Sequence, residues 1–319
     1  MMSRIPAKEF DRMEQVAEHE PIALDRELRS LFALLDDPDP RVAEAVTERI
    51  RKRGEDVIPP LLHFMESTLE PLARVRAETL TSEFTTARLT REFETINLRL
   101  ERNDPSAFED GVFLIAKFGN PVLDVSELRS DLDDFAETLR YRTAGLSSAL
   151  EVLDEVNHFF FEDLRFRGNH AKFLDPANSY IDKVIERRMG IPISLAAVYL
   201  LVAKSRLGLP FSGASAPGHF LIRYDGLRSE PLYIDAFNGG ILLRERDIKH
   251  YLDGSGLPFH KQFLDPTHPR QILLRMVRNL IIAFTELGNA PARAAFEGFM
   301  RVLAPNAPEG QAFLRGLEG

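Results

Sequence analysis

Apolar positions in the first hundred residues recur at helical spacing. Leu28, Leu31, Phe32, Leu34 and Leu35 mark one helix, and Val42, Ala45, Val46 and Ile50 mark a second. Leu61, Leu62, Phe64 and Met65 mark a third. The connections carry the chemistry of helix ends: Asp39 fits an N-cap, Pro40 the first helical position and Gly54 a left-handed stop. From Leu69 to Arg102 the chain is charged, with a sparse stripe of Val75, Leu80, Phe84, Leu89, Phe93 and Ile96. More amphipathic helices are predicted after the caps Asn103 or Asp104 and Asp124 or Ser126, and again up to Leu164. A helix over Tyr180–Met189 is expected to stop at Gly190. The next one, opened by Pro192, is apolar on nearly every side through Ala203, which marks a buried core helix. Then the period shortens. GHFLIRY and EPLYIDAF read as antiparallel strands around the turn DGLRSE. A short ILL, a helix over RERDIKHYL and two final helices around Gly288 complete the chain. The pattern predicts an α+β protein, mostly helical, with a buried helix packed on a small antiparallel sheet.

The string LFALLDDPDPRVAEAVTERIRKRGEDVIPPLL resembles one HEAT repeat, a unit that needs neighbours to cover its apolar face. The last two helices, with Ala292, Ala295, Phe296, Phe299, Met300 and Leu303 in one stripe, resemble a tetratricopeptide hairpin. Three segments are therefore expected: a helical HEAT-like region over 1–102, a core domain over 103–264 and a helical hairpin over 265–319.

Composition narrows the function classes. Against 40 basic residues stand 49 acidic ones, a net charge of −9, which argues against a nucleic-acid partner. There is no cysteine, hence no disulfide, no thiolate metal site and no cysteine nucleophile. His158, His170 and His219 have no HxH or HxxxH spacing, so no metal is expected, and no motif asks for a cofactor. The start, MMSRIPAKEFDRMEQ, lacks an apolar signal region, and the apolar run Ile191–Ala203 is too short for a bilayer. A cytoplasmic protein with no membrane partner is expected.

Candidate chemistry gathers between residues 187 and 240. Ser194 lies in the first turn of the buried helix, where unpaired N–H groups favour developing negative charge. Serine is also a common residue of helix starts. His219 opens the first strand of the hairpin. Asp235 sits among Tyr233, Ile234, Ala236 and Phe237, and a carboxylate in such company needs a partner. A hydroxyl, an imidazole and a carboxylate on successive elements can form a nucleophile, base and orienter, and structural Asp–His pairs also exist. Asn169 and Asn178 before the helix, and Asn238 and Gly239 after the Asp strand, either line a cleft or make caps and turns. Arg187 and Arg188 either pair with acids such as Asp182 and Glu186, the favoured reading, or face an anionic ligand.

The motifs FRGN, DPANSYIDKVIERRMGIPISL, PGHF and IDAFNGG together resemble the transglutaminase-like superfamily, and more narrowly its bacterial Sir regulator B (YchA-type) branch. The resemblance covers about 105–250. It implies a papain-like core with a catalytic Cys at a helix opening, a His on the next strand and an Asp or Asn on the strand after. His219 and Asp235 match the last two. The Cys position falls on Ser194 or on Ile193, and this chain has no Cys to place there. Two expectations follow. One is a non-catalytic papain-like domain that binds a protein or peptide partner as an interaction or regulatory module. The other is an amide or peptide hydrolase or acyltransferase using Ser194, His219 and Asp235.

Overall fold

The computed structural model describes residues 25–228 and 230–305, so the reading of Met1–Gln15 and the last residues of the tail lie outside the described residues. Two compact units divide between Phe84 and Thr85. The first holds α1 (Arg26–Phe32), α2 (Pro40–Arg51), α3 (Ile58–Ser67) and the opening of α4 (Pro71–Glu101). Asp25 and Asp39 cap α1 and α2 through their side chains, and Pro40 starts α2 as expected. Leu28, Phe32, Val46, Ile50, Leu61, Ala77 and Leu80 close a core of their own.

The second unit begins inside α4, not at 103. Leu89, Phe93, Ile96 and Leu100 of that helix bury in the main core, so the division falls where the helix changes partners rather than at its end. That core also takes α5 (Ala107–Gly119), α6 (Val125–Thr143) and α7 (Ala149–His158), which runs on as a π-turn over Phe159–Asp163. Next come β1 (Arg167–Gly168), α8 (Ile181–Arg187), β2 (Met189–Gly190) and α9 (Pro192–Ala203). Then follow β3 (Phe211–Ala216), β4 (His219–Tyr224), β5 (Leu232–Asp235), β6 (Ile241–Leu243) and α10 (Glu245–Gly254). The last elements are β7 (Pro266–Thr267), α11 (Pro269–Glu286) and α12 (Ala290–Leu303). The expected separate segment over 265–319 is not separate in its described part. Leu273, Met276, Phe296 and Phe299 of α11 and α12 lie in the same core as α9.

Every residue of α9 is buried, as its all-round apolar sequence requires. The sheet order is β6-β5-β4-β3-β7, antiparallel throughout. Alternation divides its two faces. Phe220, Ile222, Tyr224 and Ile234 join the core of α9, while Leu221, Tyr233 and Ala214 pack with Ile248 and Leu252 of α10. The strand β3 was not expected, because FSGASA lacks branched and aromatic residues after Phe211. Its small residues serve packing instead: a Cβ at Gly213 would sit 2.5 Å from the Phe220 ring. The helix expected over Tyr180–Met189 stops at Arg187. Arg188 takes the left-handed conformation, φ 52°, and its guanidinium lies 4.9 and 5.0 Å from the Phe135 and Phe166 rings. Met189 and Gly190 can then pair with Arg167 and Gly168. Among the described residues no helix is long and apolar enough to cross a membrane.

Candidate functional site

A cavity of about 380 Å³ opens at one end of the sheet, within the second unit. Its walls come from Pro192 at the start of α9, His219 after the β3–β4 turn, and Asp235 with Phe237 and Asn238 beyond β5. Leu243 of β6, Asp247, Ile248 and Tyr251 of α10, and Phe173 of the loop before α8 also contribute. The pleat accounts for the placement. Ile222 pairs with Ile234, so Asp235 faces Leu221 and lies diagonal to His219 on the α10 side of the sheet.

His219 Nε2 is 2.9 Å from Asp235 Oδ1, an ion-pair distance approached off the line of the ring N–H. Asp235 accepts three further hydrogen bonds. Its Oδ1 accepts the backbone N–H groups of Phe237 and Asn238 at 3.1 Å, and its Oδ2 accepts Asn238 Nδ2 at 2.7 Å. Burial pushes this carboxyl up, but His219 and the Asn238 hydrogen bonds outweigh burial and hold it below its ordinary value. The carboxylate thus lies against the imidazole and anchors the turn that carries Asn238.

Ser194 is not in this constellation. It is fully buried, and all its bonds go to backbone. Its hydroxyl donates to Asn178 O and approaches Ile191 O at 3.1 Å, while accepting the Ile191 N–H at 3.1 Å. Ser194, expected beside His219 and Asp235, instead ties the start of α9 to nearby backbone and does not line the cavity. Ile193 is no substitute, being 1 % exposed and part of the core. The sheet explains both: α9 fills the face opposite α10, and only its first residue reaches the cavity. That residue is Pro192, which carries neither a nucleophile nor an N–H for an oxyanion. Gly190 leaves the space that Ser194 occupies, since a Cβ there would lie 2.6 Å from the hydroxyl.

The four other polar candidates divide. Asn238 lines the cavity; Asn169, Asn178 and Gly239 do not. Asn169 and Asn178 are buried and bonded to each other at 3.0 Å. Asn169 Oδ1 accepts the Lys172 N–H, and Asn178 Nδ2 donates to Lys172 O and Phe173 O. They hold the loop that presents Phe173, because a buried amide must satisfy its donors and acceptor. Gly239 takes φ 74° to end the turn after β5. Arg187 pairs with Asp175 rather than Asp182 or Glu186. Sequence reasoning did not find Asp247 or Tyr251. Both lie on the helix expected over RERDIKHYL, whose residues carried no sign of a site.

It also missed Arg275 of α11, which donates to Ser215 Oγ at 2.7 Å and Ala216 O at 3.1 Å. This guanidinium lies 5.5 Å from the Phe220 ring centre and fixes the end of β3, where Ala216 pairs with His219. Burial, with repulsion from Arg278, pushes it down to about 10, so it stays charged at neutral pH. Among the described residues, no group of three His, Asp or Glu side chains is arranged to hold a metal ion.

Comparison with known proteins agrees with this architecture. A model of the transglutaminase-like superfamily matches residues 126–278, from α6 into α11. A UPF0162 protein of Xylella fastidiosa is 39% identical over 209 residues, which cover 61% of this chain and 71% of that protein. F-box only protein 21 of Homo sapiens is 30% identical over 217 residues, 58% of this chain and 34% of that one. Protein SirB1 of Salmonella typhimurium is 24% identical over 174 residues, 54% and 64% of the two chains. No solved structure matches. With the buried helix, the antiparallel sheet and the ordered motifs, these likenesses place the chain: it belongs to the transglutaminase-like superfamily, among the UPF0162 proteins.

Proposed function

We propose that the transglutaminase-like domain is a binding module, in which the cavity beside His219 and Asp235 receives part of a protein or peptide partner without forming a covalent intermediate. One observation carries this reading. Where the superfamily resemblance puts a nucleophile, α9 offers Pro192 to the cavity and turns Ser194 to its own backbone. Acyl transfer through an enzyme intermediate needs a nucleophile within reach of its base. Among the described residues that line the cavity, no serine, threonine or lysine stands beside the base. The Asp235–His219 pair instead gives a rigid polar floor in a cavity of ligand size, which suits recognition.

The test combines labelling with binding. A fluorophosphonate probe is expected to leave Ser194 unmodified, while a peptide pool shifts the NMR resonances of His219 and Asn238 and emerges unchanged by mass spectrometry. Labelling at Ser194, or peptide turnover abolished by Ser194→Ala in a folded protein, overturns the reading. A second reading rests on the retained Asp235–His219 geometry. The pair can activate a water in the cavity, and hydrolysis that survives Ser194→Ala but not His219→Gln would identify it.

A further inference from the structure

The lining of the cavity points to the charge of its ligand. Among the described residues, two carboxylates, Asp235 and Asp247, reach it, and no lysine or arginine lines it. Aromatic rings form a row along the wall. Phe173 is 5.8 Å from Phe237, Phe237 is 6.5 Å from His219, and His219 is 6.3 Å from Tyr251. Asn238 donates its amide to Asp235, which leaves its carbonyl oxygen as a further acceptor. Asp235 already accepts three hydrogen bonds and sits against His219, whereas Asp247 accepts one and has more capacity to spare. Its Oδ2 accepts the Arg244 backbone N–H at 2.8 Å. Its Oδ1 has only Arg246 at 3.5 Å, a side chain 79% exposed and easily displaced. Acceptors and ring faces together select a cation and repel an anion.

The surroundings point to how the cation arrives. Within the described residues β6 is the edge of its sheet. Its residues are apolar and open, with Ile241 55% and Leu242 39% exposed, and neither a charge nor a proline guards the strand itself. Leu243 of the same strand lines the cavity, and Ile241 shares the face of Asp235. A strand added along β6 would run beside the cavity, where its alternate side chains can enter.

We propose that the cavity takes the protonated side chain of a lysine or arginine carried by an extended peptide whose backbone pairs with the free edge of β6. The proposal rests on the binding-module reading and narrows it to a basic, extended partner segment. The ammonium or guanidinium would contact Asp247 and the Asn238 carbonyl, and its methylenes would lie on Phe237 and Tyr251.

The experiment uses the full chain and short valine- and threonine-rich peptides with one central residue: lysine, arginine, norleucine or glutamate. Fluorescence anisotropy measures affinity, and the resonances of Asn238 and Leu243 report the place of binding. Lysine and arginine peptides are expected to bind about tenfold or more tightly than the norleucine isostere. Asp247→Asn should remove most of that preference, and a variant that keeps it in full overturns the cation inference. N-methylation of alternate backbone amides should weaken every peptide about tenfold, as lost edge pairing requires. Equal or tighter binding of norleucine or glutamate peptides overturns the cation inference and leaves the binding-module reading standing. If no peptide binds, the inference fails. A neutral fragment screen on the same resonances then decides whether the reading fails with it.

Discussion

Ser194→Ala separates a structural hydroxyl from a catalytic one. In the wild type the hydroxyl joins three backbone groups around the start of α9, and no solvent reaches it. Alanine keeps the Cβ and leaves no large void, so lost packing is minor. What remains is the Ile191 N–H and the Asn178 C=O without their partner. A buried polar group left unpaired costs about 1–3 kcal/mol. The carbonyl tolerates the loss better, because orphaned N–H groups are the rarer case. A total near 3 kcal/mol is expected, or about 6–12 °C in Tm at about 2–4 °C per kcal/mol for a unit of this size. Differential scanning calorimetry and urea unfolding at pH 7 measure it. Peptide binding per folded molecule should be unchanged. A variant with wild-type Tm that has lost a chemical activity would refute the reasoning, since the hydroxyl would then face substrate.

Gly190→Ala should destabilise by about 1–3 kcal/mol, because its Cβ would press on the Ser194 hydroxyl. Combined with Ser194→Ala the two costs should add to less than their sum, as a double-mutant cycle by urea unfolding would show. The Asp235 carboxyl is held below its ordinary value, so the unfolded chain binds its proton more readily. Its stabilisation is therefore complete above the unfolded carboxylate range, near pH 4, and is lost as pH falls through the lower folded value. Asp235→Asn should flatten the acid limb of a Tm–pH curve below about pH 4, and an unchanged limb would contradict this. Arg275→Ala should free the end of β3. Amide exchange at Ala216 and His219 is expected to quicken about fivefold or more while β5 stays protected, and equal rates would remove Arg275 as the element that positions the turn.

The fold was legible where one physical rule dominated. An apolar helix with no polar face can only be buried, and α9 is. Alternation in GHFLIRY and LYIDAF gave two paired strands, and their shared face brought His219 to Asp235. Legibility failed where context overrode local pattern. Ser194, placed at a helix start, looks the same whether it faces a cleft or its own backbone. Only the packing of α9 on the far side of the sheet decides between them. Asn169 and Asn178 show the same ambiguity, since an amide in a loop motif suits a cleft or a scaffold equally. Phe173, Asp247 and Tyr251 come from a loop and a helix with no local sign that they share a wall with His219. Nor does the sequence mark the change of core halfway along α4, because its apolar stripe continues without a break. Nothing in the sequence around Arg275 marks it, and only its bonds to the end of β3 give it a role.

The central claim is that α9 presents Pro192, and not Ser194, to the cavity. The chain contains no cysteine, so single thiols report without background. The most direct measurement is the iodoacetamide alkylation rate of Pro192→Cys and of Ser194→Cys in the folded protein, each relative to its rate in denaturant. The account predicts ready alkylation at position 192 and strong protection at 194, lifted only on unfolding. Fast alkylation at 194 with protection at 192 would contradict it and restore a nucleophile facing His219.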